Sequence, residues 1–564
     1  MAWWWVAAAW AFPSPTFTPD QLWTRLPVQL GSDHQNQPMA VNGLLVAGGN
    51  GVHPVWDLEN LAAPRLVATL TSPHHDGEAE SHQLSARVGP DGEVWVVTIS
   101  GLGVDLWDLT TPEAPALLAS VELEGVRYGD NTEAVWGVAW QGDVLYVGGT
   151  STGLHVIDTT DPAAPVVVGR LPTSALGGVS AGPLWAVGDL LVVTTPKESA
   201  GVATVDISDP WAPTLLDAVV EPEKSYIGGF YGGVAYLLTP LRSYDVTTDP
   251  RAIRLIGSVE TPASEYVSYS DGALFLGLLR PTPGIEKYRL GEGTAERLGK
   301  VEGRYDGIDH GVFTDDQFSL PIGNLLVLCD DELSEGCGIG VHQTSPDTTP
   351  QAVLWRTPAD GQASLPPTTR VGVSFADQVD TRSLTPETFV VRSLAGDVVR
   401  GSWGVSGTEV SFMPEVPLAV DTTWEVILPA GGVKDLVGNG LSSEVRWVFS
   451  TGEAVTAVRC DVGSTGPAAV GAAAALSAVG AEAGTDYAWD LGDGRRETGA
   501  SVDVTWPAPG RYPVRLTATR DGQTRSCGAV QVVHRAAAAP AGRASTVAVD
   551  GDRVWVVNPD HGTV

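Results

Sequence analysis

One phrase recurs through the first half of the chain and limits it to a repeat fold: an apolar run closed by aspartate, a proline-containing turn, and a second apolar run. The copies span Trp56-Asp57 to Leu70, Trp107-Asp108 to Val121, Ile157-Asp158 to Leu171, Val205-Asp206 to Val219 and, more loosely, Tyr244-Asp245 to Val259. The anchors Asp57, Asp108, Asp158, Asp206 and Asp245 lie 39 to 51 residues apart. That period belongs to four-stranded blades, each of which buries its faces only against its neighbours.

Each phrase follows a β-rich run, such as Val94-Trp95-Val96-Val97 or Val144-Leu145-Tyr146-Val147, and turn signals such as Asp91-Gly92 and Gln141-Gly142-Asp143 precede most of these runs. A unit therefore reads as four strands joined by tight turns. Two fainter units continue the series, with Leu274-Phe275-Leu276 before Tyr288 and Leu325-Leu326-Val327-Leu328 before Val341. The expectation is seven blades over residues 20–352. The aspartates are expected to be structural, accepting hydrogen bonds from the N–H groups of the following turn, while Pro162, Pro165, Pro210 and Pro213 preset its φ angles.

The stretch Asp158-Thr-Thr-Asp-Pro-Ala-Ala-Pro165 resembles the LVIVD-repeat family of surface propellers. Trp56-Asp57 and Trp107-Asp108 suggest WD repeats, but no Gly-His dipeptide stands upstream of them and the proline signature is foreign to that family.

From Val353 the repeat gives way to short alternating strands, Val371-Gly-Val-Ser-Phe375, Val410-Ser-Phe-Met-Pro414, Trp424-Glu-Val-Ile-Leu428 and Trp447-Val-Phe-Ser-Thr451. Strand spacing of this kind indicates a sandwich. With Lys434-Asp435…Gly438-Asn439, residues 353–452 resemble the SbsA-type bacterial Ig-like domain. Residues 453–536 carry Tyr487-Ala-Trp489-Asp490-Leu-Gly492-Asp493-Gly494 and Pro509-Gly510-Arg-Tyr512, and resemble the PKD domain. Trp489 is its expected core anchor, and Gly492-Asp-Gly494 a hairpin turn needing positive φ. The run Ala472 to Ala475 is read as an irregular strand of this sandwich. Residues 537–544 form a linker by composition. The remainder, 545–564, looks like the first hairpin of a second, YVTN-type propeller cut off at Val564. The fold class expected is thus all-β: a seven-bladed propeller, two Ig-like sandwiches and an incomplete second propeller.

Residues 1–15 read as a signal-peptide-like leader, with Ala9-Trp10-Ala11 fitting the small-residue rule for cleavage although no Lys or Arg precedes the apolar run. In an exported chain, four cysteines imply two disulfides, Cys329–Cys337 and Cys460–Cys527. The excess of 67 acidic over 33 basic residues, a net charge of −34, repels nucleic acid and anionic lipid, leaving cations, glycans and proteins as partners. No apolar run reaches the length of a membrane span.

Two clusters carry ligand-type residues. His82, Glu133, Tyr266, Asp309 and His310 each precede the second strand of a blade, where propeller residues line one mouth of the axial channel, and a divalent cation or small polar ligand could bind there. Asp330, Asp331, Glu332 and Glu335 lie on the Cys329–Cys337 loop, which would take calcium. Gly178-Val-Ser180-Ala-Gly182 matches a nucleophile elbow, but Pro183 follows where the helix should start. The modules imply a secreted or cell-surface binding or adhesion protein, without catalysis within this chain, that meets a protein or glycan partner through its propeller and uses the sandwiches as spacers. The alternatives are an accessory half of an exported enzyme whose catalytic domain lies beyond Val564, or a metal-assisted propeller hydrolase or lyase.

Overall fold

The computed structural model describes residues 11–18, 24–26, 37–47, 49, 51–74, 81–127, 133–196, 201–221, 225, 227–279, 284–301, 316–330, 337–452, 460, 462–464, 466–479, 481, 483–520, 523–535, 547–550 and 553–556. They fall into two compact units, residues 1–454 and 455–564. The fold is all-β: a seven-bladed propeller followed by two sandwiches.

Each blade is a four-stranded antiparallel ladder. Blade 3 is representative: Gly137–Gln141, Val144–Gly148, Leu154–Asp158 and Val166–Leu171 pair in sequence order from the axis outward. Its first three strands are buried on both faces except at Asp158, because neighbouring blades cover them, and so they read as unbroken apolar runs. Its outer strand is largely exposed. In six blades the ladder between third and fourth strands slips by one residue just before the closing position, as between Val156 and Ile157. Such bulges sharpen the local twist.

The ring is closed by the N-terminal segment. Thr24–Leu26 pairs with Cys337–Val341 as the outer strand of blade 7, whose other strands are Asp316–Ile322 and Leu325–Asp330. Closure of this kind joins the two ends of the repeat array, so the first and last blades hold each other.

The turns after Asp57, Asp108, Asp158, Asp206 and Asp245 share one construction. The Oδ1 atoms of the first four accept from the N–H of Glu59, Thr110, Thr160 and Ser208 at 2.8–2.9 Å. Asp245 accepts from both Thr247 and Thr248.

Residues 353–451 form a sandwich that is joined to the propeller. One sheet orders Gln362–Leu365, Val445–Thr451, Thr422–Leu428 and Val390–Ser393. The other orders Val353–Thr357, Val371–Phe375, Glu409–Pro414 and Gly401–Ser406, and the last of these pairs with Ser85–Val88, the inner strand of blade 2. The result is one eight-stranded sheet across two modules. A single apolar core runs through both, with Met39, Val88 and Trp107 of the propeller and Trp403, Phe412 and Trp447 of the sandwich in one cluster.

The sandwich covers the face formed by the turns between first and second strands, touching all seven. Asn42 N–H donates to Thr381 Oγ1, Gly188 N–H to Ser411 Oγ and Gly232 N–H to Ser374 Oγ, at 2.8–2.9 Å. Asp271 N–H donates to the Ala376 carbonyl at 2.7 Å. Asp91 pairs with Arg400, and Gly142 and Gly323 abut Met413 and Val437 so closely that a Cβ at either would overlap them. A sandwich standing off as a spacer is therefore the wrong picture for this module: its edge strand is consumed in pairing with blade 2.

Residues 12–15, counted in the sequence as leader, belong to this covered face. Phe12 is buried and its N–H donates to the Leu436 carbonyl. Ser14 Oγ donates to Asn324 Oδ1 at 2.9 Å.

In the second unit, Trp489, Leu491, Trp506 and Leu516 fill the core between two sheets. The alanine-rich run lies in a strand, Ala473–Ala478. Gly492 and Gly494 take φ of 76° and 90°, the left-handed values their turn demands. Cys460 is bonded to Cys527, and in the first unit Cys329 to Cys337. Val547–Asp550 and Arg553–Val556 form a two-stranded ribbon. No described helix is long and apolar enough to cross a membrane.

Candidate functional site

The face opposite the sandwich carries the loops between blades and the turns between second and third strands, and at that end of the inner strands the rings of His82, Trp136, Tyr266 and Phe318 are buried against one another. Between the inner strands and the sandwich lies a cavity of about 110 Å3. Its walls are inner strands, including Met39, Phe230, Ser268 and Tyr269, and its floor is the turn Ser406-Gly407-Thr408-Glu409 of the Ig-like sandwich together with Gln378. It has room for several waters or one small polar molecule.

Gln83 holds three blades around this space. Its Oε1 accepts from Val138 N–H (3.1 Å) and Leu184 N–H (3.0 Å), and its Nε2 donates to the Leu184 carbonyl (2.6 Å). Ser268 and Ser319 share a 2.7 Å hydroxyl hydrogen bond across blades 6 and 7. Tyr269 stacks on Tyr231 with ring centroids 4.9 Å apart, and a Cβ at Gly229 would fall 1.9 Å from the Tyr269 hydroxyl. Glycine at 229 is what lets the tyrosine reach the axis.

Glu409 is the chemically distinctive group. It is buried, its Oε1 accepts from Ser374 Oγ (2.8 Å) and its Oε2 from Thr408 Oγ1 (2.6 Å). Burial pushes its pKa up to about 8, against the pull of those two hydroxyls. At neutral pH the floor of the cavity is thus mostly a neutral carboxylic acid. Burial likewise raises the Tyr269 hydroxyl well above its ordinary value. Neutral hydrogen-bonding groups of this kind suit an uncharged polar guest.

His82 and Tyr266 come together here, 6.0 Å between ring centroids, within an aromatic layer beside the cavity. His82 lies flat on Trp136 at 3.7 Å, and Tyr266 against Phe318 at 3.6 Å. All four side chains are buried. Glu133 is elsewhere, paired with Arg127 on the loop leading into blade 3. Asp309, His310, Asp331, Glu332 and Glu335 lie outside the described residues, as does the side chain of Asp330. Of the residues expected at the channel mouth, the described part thus brings His82 and Tyr266 together and leaves Glu133 apart. Ser180 falls in the loop before Leu184–Val187, with no helix after it.

Two other buried histidines sit near the open face on third strands. His53 and His155 are both held down to about 4, the first by burial and the second by burial and the charge of Arg170. His155 Nε2 is bonded to Thr152 Oγ1 at 2.8 Å. They are neutral packing groups at physiological pH.

Sequence reasoning missed Glu409 and Gln378, since both come from the sandwich. The one available signal was a glutamate opening a strand, Glu409–Pro414, that is otherwise mostly apolar.

Comparison with known proteins agrees with this architecture. Residues 134–173 match the model of the LVIVD repeat, residues 347–451 that of the bacterial Ig-like domain and residues 459–534 that of the PKD domain. These are repeat and sandwich modules of non-catalytic type, characteristic of extracellular or surface β-rich proteins. No curated protein matches the chain. Among solved structures, it is similar to a protein provisionally named a 6-phosphogluconolactonase from Bacteroides uniformis, at 14% identity and a TM-score of 0.37, covering 46% of this chain and 81% of that one. It is also similar to the computationally designed Ika8 protein, at 12% identity and a TM-score of 0.34, covering 56% and 98%. Scores at this level carry no argument about function.

Proposed function

We propose that the protein is a non-enzymatic binding protein of the cell exterior, and that its partner, a protein or a glycan, meets the open face of the propeller. The observation that carries this reading is the position of the Ig-like sandwich. It occupies one face across all seven blades, which leaves the opposite face, with the loops between blades and the strand ends that flank the Cys329–Cys337 loop, as the presented surface. Loops on a rigid scaffold are where recognition residues concentrate. The net charge of −34 favours neutral or basic partners.

The test is to probe glycan and surface-protein arrays with the full chain, then repeat each hit with two labelled variants. A bulky thiol adduct at Glu124→Cys, exposed on the loop between blades 2 and 3, should abolish binding. The same adduct at Ala163→Cys, exposed in the Asp158 turn on the opposite side, should leave it intact. Equal effects at both positions, or turnover of a hit by the chain, would rule the reading out.

A further inference from the structure

Three carboxylates from three separate parts of the first unit meet at one point. Asp271 is in the first turn of blade 6, Asp347 in the segment leaving blade 7, and Asp377 just beyond the sandwich strand Val371–Phe375. One oxygen of each lies within 4.8 Å of the others. The backbone fixes them there: Asp271 N–H donates to the Ala376 carbonyl (2.7 Å), and Gln351 binds Asp377 through both N–H (3.0 Å) and carbonyl (3.1 Å). Asp347 is held by Ser14 Oγ at its N–H (2.9 Å) and by Asn439 Nδ2 at its carbonyl (3.3 Å).

Asp347 supplies a second, independent observation. The residue is 9% exposed; its Oδ1 accepts from Thr349 N–H at 2.9 Å, while Oδ2 is buried with no hydrogen-bond partner. A carboxyl oxygen taken out of water and given no donor is costly, and here it lies beside two further carboxyl groups.

One nearby cation faces the cluster: Lys287 interacts electrostatically with Asp271, Asp347 and Asp377. Asp435 adds a fourth carboxylate, already bonded through both oxygens to Asn439. Lys287 is the nearby ammonium, resting 4.9 Å from the Phe275 ring centroid, and Arg289 stands across the adjoining cleft. His342 in the same cleft is held by burial down to about 4 and brings no charge.

We propose that Asp271, Asp347 and Asp377 form a calcium site that fastens blade 6 to the Ig-like sandwich. The donors are all oxygen, as calcium prefers, and oxygens held at its usual 2.3–2.6 Å stand up to about 5 Å apart, wider than the near-ideal octahedron of magnesium allows. The hydroxyls of Ser270 and Thr349, which hydrogen-bond to Asp377 and Asp271, are neutral oxygens beside the carboxylates. A cleft of about 220 Å3 lined by Asp271, Lys287, Asp347 and Thr349 gives the ion its way in. This site is distinct from the acidic Cys329–Cys337 loop and does not depend on the binding reading.

The experiment is titration of the metal-free full chain with calcium chloride by calorimetry, with thermal unfolding in parallel. One calcium per chain should bind at this site, raising the melting of the first unit and not that of the second. Asp271→Asn, at an exposed turn, and Asp347→Asn should each weaken binding by about tenfold or more. Without calcium these variants should melt as high as the parent or higher, since repulsion is relieved, which separates lost binding from lost folding. A triple variant of the loop, Asp331→Asn, Glu332→Gln and Glu335→Gln, should leave this binding intact. The proposal is overturned by no heat and no melting shift up to about 5 mM calcium, above the range of extracellular calcium modules. It is equally overturned by unchanged affinity in Asp271→Asn and Asp347→Asn, or by binding lost in the loop variant.

Discussion

Trp403 of the Ig-like sandwich stands opposite Val88 of blade 2 in one antiparallel ladder, followed in register by Gly404 with Arg87 and Val405 with Ala86. The pairing disposes of two liabilities together. An inner blade strand and an edge strand of a sandwich each present unpaired backbone groups, and each satisfies the other. It also holds the sandwich against one face of the propeller.

The ladder depends on glycine at position 404. A Cβ there would lie 2.2 Å from the Trp140 carbonyl, a backbone atom that no rotamer change can move. Gly404→Val should destabilise the first unit by about 3 kcal/mol and uncouple the sandwich from the propeller, seen as a split of one unfolding transition into two.

Glu409 gives the first unit a pH dependence of known sign. Its folded pKa is raised from the ordinary 4.5 to about 8, so between those values the unfolded chain has released the proton that the native state keeps. Its contribution is fully present below about pH 4.5 and is lost as pH rises through 8. Glu409→Gln should therefore melt closer to the parent at pH 5 than at pH 8, with a relative gain of about 2–4 kcal/mol across the window. Melting curves of both proteins at the two pH values check this.

The repeated aspartates act as turn acceptors, and the substitutions that test this are graded. Asp158→Ala removes the acceptor of Thr160 N–H and should cost about 1 kcal/mol, while Asp158→Asn keeps an oxygen and should cost under about 0.5. Asp245→Ala should cost more, about 2 kcal/mol, because two N–H groups and Arg254 lose their partner. Urea titration of each variant measures the order.

The two disulfides should differ in weight. Cys460–Cys527 spans 67 residues and Cys329–Cys337 only 8. By loop-closure entropy, replacing both cysteines of the longer link should cost the second unit about 4 kcal/mol, and of the shorter about 2.5 kcal/mol in the first unit. Separate unfolding transitions report each loss.

Local chemistry was legible in the sequence, and assembly was not. The Asp158-to-Pro165 turn, the apolar strands between blades and the positive φ of Gly492 and Gly494 all follow from residues near one another in the chain. The docking of the sandwich does not: Trp403 and Val88 are 315 residues apart, and nothing in either strand marks it as the other's partner. The same holds for Asp271, Asp347 and Asp377, which come from a blade turn, a connecting segment and a sandwich loop. His82 was legible as a residue near the axis, but its flat contact with Trp136 depends on how two blades abut. A ligand-type residue looks the same in sequence whether it faces solvent or an indole.

Differential scanning calorimetry of the full chain tests the central claim, that the propeller and the Ig-like sandwich are one folded body with one face closed. The account predicts a single cooperative transition for residues 12–451, separate from that of the PKD unit, with Gly404→Val dividing the first in two. A parent protein in which the sandwich melts independently of the propeller, with no further change in Gly404→Val, would contradict it.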